Sequence, residues 1–128
     1  MSTVVKFTSV GSTVVTALLK ASANKYIGWG VDTGPVAAAA TQTALESEGA
    51  EVRATGTQDD VQTDHANDTY QVVGTITCAS AGKVITEAGL FSQEAVGGSM
   101  LVRASFAAIN VDIGDSIAFT FKIKFDHS

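Results

Sequence analysis

The densest group of possible ligands in this chain is Asp59, Asp60, Asp64, His65 and Asp68, all within the polar stretch 58–68. Carboxylate oxygens on one loop could hold a hard cation such as calcium. The spacing lacks the mid-loop glycine and the closing glutamate of an EF-hand. The four aspartates are therefore weak metal candidates, and the plainer expectation is a solvated acidic loop with no metal and no cofactor. General acid–base chemistry needs a base held beside a nucleophile. The two histidines are His65 and the penultimate residue His127, and a fraying terminus holds a base poorly. Gly28-Trp29-Gly30 matches neither phosphate-binding glycine pattern. No catalytic residue and no enzyme activity are expected.

Glu87 carries more information. It shares strand parity with Ile85 and Phe91, so its carboxylate points toward an apolar face and needs a partner there. The chain has two arginines, Arg53 and Arg103. The expected partner is Arg103, on the opposite hairpin arm, with Arg53 as the alternative. The pair would be structural, fixing strand register or joining two subunits. Trp29, between two glycines, reads as a core or subunit-contact aromatic, or more sharply as a carbohydrate-stacking platform.

These side chains must be positioned by strands. In 116–125, Ile117, Phe119, Phe121, Ile123 and Phe125 alternate strictly with Ala118, Thr120, Lys122 and Lys124, which is strand periodicity. With that face in a core, Phe121→Ala would cost about 3–5 kcal/mol. Segments 84–92 and 99–106 flank Gly97-Gly98 and read as an antiparallel hairpin. Further strands are expected at 69–78, at 51–58 (polar, at an edge), at 26–31 and at 3–8. Segment 11–20 admits a strand or a short helix; the run Val14-Val15-Thr16 favours the strand. Segment 37–45 reads as a surface loop that tucks Leu45 inward. Seven or eight short strands predict an all-β domain spanning 1–128, an antiparallel β-sandwich or jelly roll.

Composition narrows the role. The 128 residues are 45% hydrophobic and 16% charged, with a net charge of -5, which suits one packed domain. The acidic balance argues against nucleic acid as a partner. The single cysteine, Cys78, excludes an intrachain disulfide and reads as a buried small hydrophobe. No apolar run approaches the ~18 residues of a membrane helix. The start of the chain lacks the basic and apolar regions of a signal peptide.

Several segments, in order, carry a resemblance: 25–30 (Lys-Tyr-Ile-Gly-Trp-Gly), 43–45, 51–53 (Glu-Val-Arg), 70–73, 85–91 (Ile-Thr-Glu-Ala-Gly-Leu-Phe), 100–106, 109–111, 114–116 and the alternating last strand. Across about residues 25–125 the chain resembles small β-sandwich virion proteins of tailed bacteriophages, namely capsid decoration (cement) proteins and tail-associated structural modules. It departs from them by carrying Ser47-Glu48-Gly49-Ala50 between Leu45 and the Glu-Val-Arg segment. The resemblance implies a structural protein without catalytic residues, located on the capsid surface and assembled in the host cytoplasm. Its implied partners are the major capsid protein and further copies of itself, as a homo-oligomeric trimer. A tail or tail-fibre module touching the host surface is the alternative. A sugar-active or metal-dependent enzyme on a jelly roll, using Glu51 and Glu87, is a third reading. Interface candidates are Thr3, Val5 and Phe7 on the expected first strand, Trp29, and the loops 32–48 and 58–68.

Overall fold

The computed structural model describes residues 5–31 and 37–125. In chain order these form helix α1 (Ser9–Lys20) and strands β1 (Tyr26–Gly30), β2 (Ala54–Thr55), β3 (Thr57–Val61), β4 (Thr69–Thr77), β5 (Lys83–Phe91), β6 (Met100–Val111) and β7 (Ser116–Lys124). Two antiparallel sheets, ordered β2-β1-β5-β6 and β3-β4-β7, pack together as in a β-sandwich.

The alternating pattern of β7 sets one wall of the core. β7 pairs with β4 without a break over all nine residues, placing Tyr70 opposite Ile123, Val72 opposite Phe121 and Ile76 opposite Ile117. Opposed residues of an antiparallel pair share a face. These side chains meet Ile27, Trp29, Ile85 and Leu90 from the other sheet. The hairpin around Gly97-Gly98 forms, with both glycines at positive φ (98° and 71°). Such backbone is costly for residues with a Cβ. The register of β6 against β5 shifts between Ile85 and Glu87.

The polar segment 51–58 does not make one strand. It breaks at Gly56, leaving β2 at the edge of one sheet and β3 at the edge of the other. Gly56 N–H donates to the Lys25 carbonyl at 2.7 Å, and a Cβ there would collide with the Val72 side chain. The chain therefore changes sheets at a residue with no side chain. Strand β3 also takes the start of the stretch expected as loop 58–68. Segment 37–45 has no regular structure and ends on Leu45, 8% exposed.

Two expectations at the N-terminal end are corrected. Residues 11–20 lie in a helix, not a strand. Thr8 caps it: its Oγ1 accepts the Gly11 N–H at 2.9 Å, satisfying one of the donors a helix start leaves open. That cap and the i, i+4 spacing of the apolar residues outweigh the β-branched run. Residues 5–8 are not a strand either, because Thr8 is committed to the cap. Thr3 lies outside the described residues. No helix among the described residues is long and apolar enough to cross a membrane.

Candidate functional site

The outer face of the four-stranded sheet is unusual in holding charge under cover. Glycines 28, 30 and 89 leave room on that face for the side chains of Leu45, Glu48, Arg53, Glu87 and Phe91 and for the Ser47 carbonyl, while 47–49 runs along the edge of β1. A Cβ on Gly30 would collide with the Glu87 carboxylate and the Ser47 carbonyl. Gly30 also bridges to Glu48, and Gly49 N–H donates to the Trp29 carbonyl at 2.9 Å. Under this cover sits Glu87, fully buried. Its Oε1 accepts Arg103 Nε at 3.0 Å and the Glu46 N–H at 2.9 Å; its Oε2 accepts the Ser47 N–H at 2.8 Å. Arg103 also donates to Gln42 Oε1 at 3.3 Å. Of the two guanidiniums considered for Glu87, Arg103 is the one in contact. The pair clamps segment 42–47 onto the sheet, a burden that a buried carboxylate can carry because every oxygen is hydrogen-bonded.

Arg53 does a parallel job one strand over. Its Nε and Nη2 meet both oxygens of Glu48 at 2.7 and 2.8 Å. Its Nη1 reaches the carbonyls of Gln93, Ala95 and Gly97 at 2.9–3.0 Å, and its guanidinium carbon lies 3.4 Å from the centre of the Phe91 ring. The tip of the β5–β6 hairpin is thereby tied to the sheet. Charge-assisted bonds and stacking of this kind are specific to a planar guanidinium.

Glu51 links the core to the surface. It accepts Trp29 Nε1 at 3.0 Å, the Ala79 N–H at 3.1 Å, and Lys83 Nζ at 2.6 and 2.8 Å. Burial pushes its carboxyl upward, but Lys83 and the two N–H donors outweigh that and bring it down to about 2. Trp29 is 1% exposed: of its expected roles the structure shows the core one, and it leaves no ring face open for an interface or a stacked sugar. Tyr70 is buried as well, which raises its phenol; its hydroxyl donates to the Asn24 carbonyl at 2.6 Å and accepts Gln58 Nε2 at 2.7 Å. Cys78 is buried and in no disulfide.

The acidic loop does not converge. Asp68 turns inward and accepts the N–H groups of Thr63, Asp64 and His65 at 2.8–3.0 Å, and the Thr69 hydroxyl at 2.9 Å. Burial works against ionisation there, yet these four donors hold the carboxyl well below the usual carboxylate range. Asp64 meets Lys124 at 2.8 Å, while Asp59 and Asp60 face Lys20 at 3.8 and 3.4 Å. Among the described residues no group of three or more His, Cys, Asp or Glu side chains is placed to hold a metal ion.

Where a strand was favoured over a short helix, the chain forms helix α1, which sets Leu19 against the core but turns most of its apolar side outward. Its buried residues are polar: Ser12 Oγ donates to the Phe125 carbonyl at 3.2 Å and Thr16 Oγ1 to the Asn67 carbonyl at 2.9 Å. Its exposed face is apolar, with Val10 at 72%, Val14 at 51% and Leu18 at 67% exposure. These sit at i, i+4 and i+8, one stripe of a helix, and that spacing is the signal the sequence carried for it. Val5 and Phe7 extend the exposed apolar surface toward the N-terminus, Phe7 edge-on to Phe125 with ring centres 5.9 Å apart. On the sheets, Ala104, Phe106, Ile109, Ile117, Phe119 and Phe121 line an open apolar trench of about 470 Å³ between β6 and β7.

Comparison with models of known protein families and with curated proteins finds no match for this chain.

Proposed function

We propose that this chain is a structural protein of a tailed-bacteriophage virion, a capsid decoration protein that binds the assembled major-capsid-protein shell and stabilises it as a homo-oligomer. The observation that carries this reading is the inverted helix. Ser12, Thr16 and Leu19 hold this 12-residue helix to its own chain, but the exposed stripe of Val10, Val14 and Leu18 gains nothing from water. It makes sense as three anchors for an apolar groove on another protein. Each aliphatic side chain so buried contributes about 1.5–3 kcal/mol. Binding only the assembled shell stabilises that state by mass action. Charged side chains engaged in internal ties fit a binding module rather than an enzyme: Glu87, Arg103, Arg53, Glu51 and Asp68 all hold loops and strands in place. The ordered motifs along residues 25–125 supply the virion context.

The test uses shells stripped of accessory proteins and, separately, host cells. Saturable binding to shells, lost at least about tenfold in the exposed-site variants Val14→Glu and Leu18→Glu, supports the reading. Binding to cells and not to shells replaces it with the tail-associated alternative.

A further inference from the structure

Each sheet ends in a long strand on the same side of the molecule. β6 closes one sheet and β7 the other, and neither has a second strand partner among the described residues. The opposite edges are β2, two residues long, and β3, five residues long and carrying Asp59 and Asp60. Short or acidic edges resist pairing; a long regular edge with open N–H and C=O groups invites it. β7 is such an edge: nine residues, no proline, and no register shift against β4. Its inward side chains Ile117, Phe119 and Phe121 remain half-exposed in the trench.

We infer that β7 pairs antiparallel with β7 of a second copy of this chain, about a two-fold axis at Thr120, merging two three-stranded sheets into one of six strands. The residues of β7 select both partner and register. Opposed residues must share a face, so apolar must meet apolar. With the axis at Thr120 all nine residues are used, Phe119 faces Phe121 of the second copy, and Ile117 faces its Ile123. An axis at Lys122 would set that lysine against itself, and a parallel in-register pair would do so for both Lys122 and Lys124; like charges directly opposed are destabilising. At Thr120, Lys122 faces Ala118 and Lys124 faces Ser116. Lys124, which meets Asp64 of its own chain at 2.8 Å, then lies between that carboxylate and the other copy's acidic turn, where Asp115 N–H donates to the Asp112 carbonyl at 2.9 Å and the Asp115 carboxylate accepts the Asp112 N–H. A strand with basic and acidic ends and a symmetric apolar face is complementary to itself, as an isologous contact requires. This pairing does not depend on the virion reading.

The experiment is a mass measurement on the full chain by light scattering and sedimentation, with three variants. The expected mass is twice 13.1 kDa. Thr120→Cys should form a covalent dimer under mild oxidation, because residues on the axis lie within disulfide reach; Ala118→Cys should not, and the buried Cys78 stays silent. Ala118→Glu, facing Lys122 of the second copy, should tighten the dimer, and Ala118→Lys should loosen it about tenfold or more. A monomeric or trimeric mass, a cross-link at position 118 rather than 120, or equal effects of the two charges at 118 would overturn the inference.

Discussion

Trp29 Nε1 lies 3.0 Å from Glu51 Oε1, so the largest side chain of the core ends on a carboxylate that also holds Lys83. The packing of the two sheets and the seating of the 78–83 connection thus share one ionised group. An ionised acceptor bonded to a buried donor is worth more than a neutral one, and its loss is felt on both sides.

Acid should therefore loosen the fold through Glu51. Its carboxyl sits at about 2 in the folded chain against an ordinary 4.5. A depressed folded value means that the stabilisation is present above about 4.5 and is lost as the pH falls from there toward 2. Thermal midpoints recorded across that window should fall steeply in the natural chain and less steeply in Glu51→Gln. Asp68, depressed in the same direction, accounts for slope that survives the substitution. Parallel curves for the two proteins would refute the assignment.

Removing Arg103 should be worse than removing the whole pair. Arg103→Ala leaves Glu87 fully buried beside two backbone donors, and breaking a buried pair from one side costs about 3–5 kcal/mol. The double change Arg103→Met with Glu87→Gln should recover part of that loss, since Gln keeps an acceptor for the Glu46 or Ser47 N–H. Denaturant midpoints for the single and double variants decide this; a double variant that is the sum of two large losses contradicts it.

Phe121→Ala should cost about 1.5–3 kcal/mol in the isolated chain, below the 3–5 kcal/mol of a fully buried phenylalanine. The reason is that Phe121 lines the trench and keeps part of its ring exposed. Urea titrations at low protein concentration give the number. A loss above that range would mean the trench wall is closed in solution.

The strands were legible where local period and tertiary burial agree. Ile117 to Phe125 alternates because one face of β7 meets the core, and Gly97-Gly98 marks the β5–β6 hairpin through positive φ. Helix α1 was obscured because its apolar stripe faces away from the core: Val14-Val15-Thr16 argues locally for a strand, while Thr8, Val10 and Leu18 argue for a helix only when read together. The split of 51–58 followed from contact of Gly56 with Val72 and Lys25, residues far off in sequence. Of the site, the pairing of Glu87 with Arg103 was legible, but not by the parity that suggested it: Ile85 packs between the sheets while Glu87 lies on the outer face, the register shifting between the two. The backbone N–H groups of Glu46 and Ser47 that complete the surroundings of Glu87 were not legible, because every residue but proline carries one.

The Arg53 side chain gathers the Gln93, Ala95 and Gly97 carbonyls around one positive charge, as a calcium ion does in many surface loops. Here the cation is covalently part of the chain. The charge that gathers the hairpin tip therefore arrives with the fold itself rather than being drawn from solution.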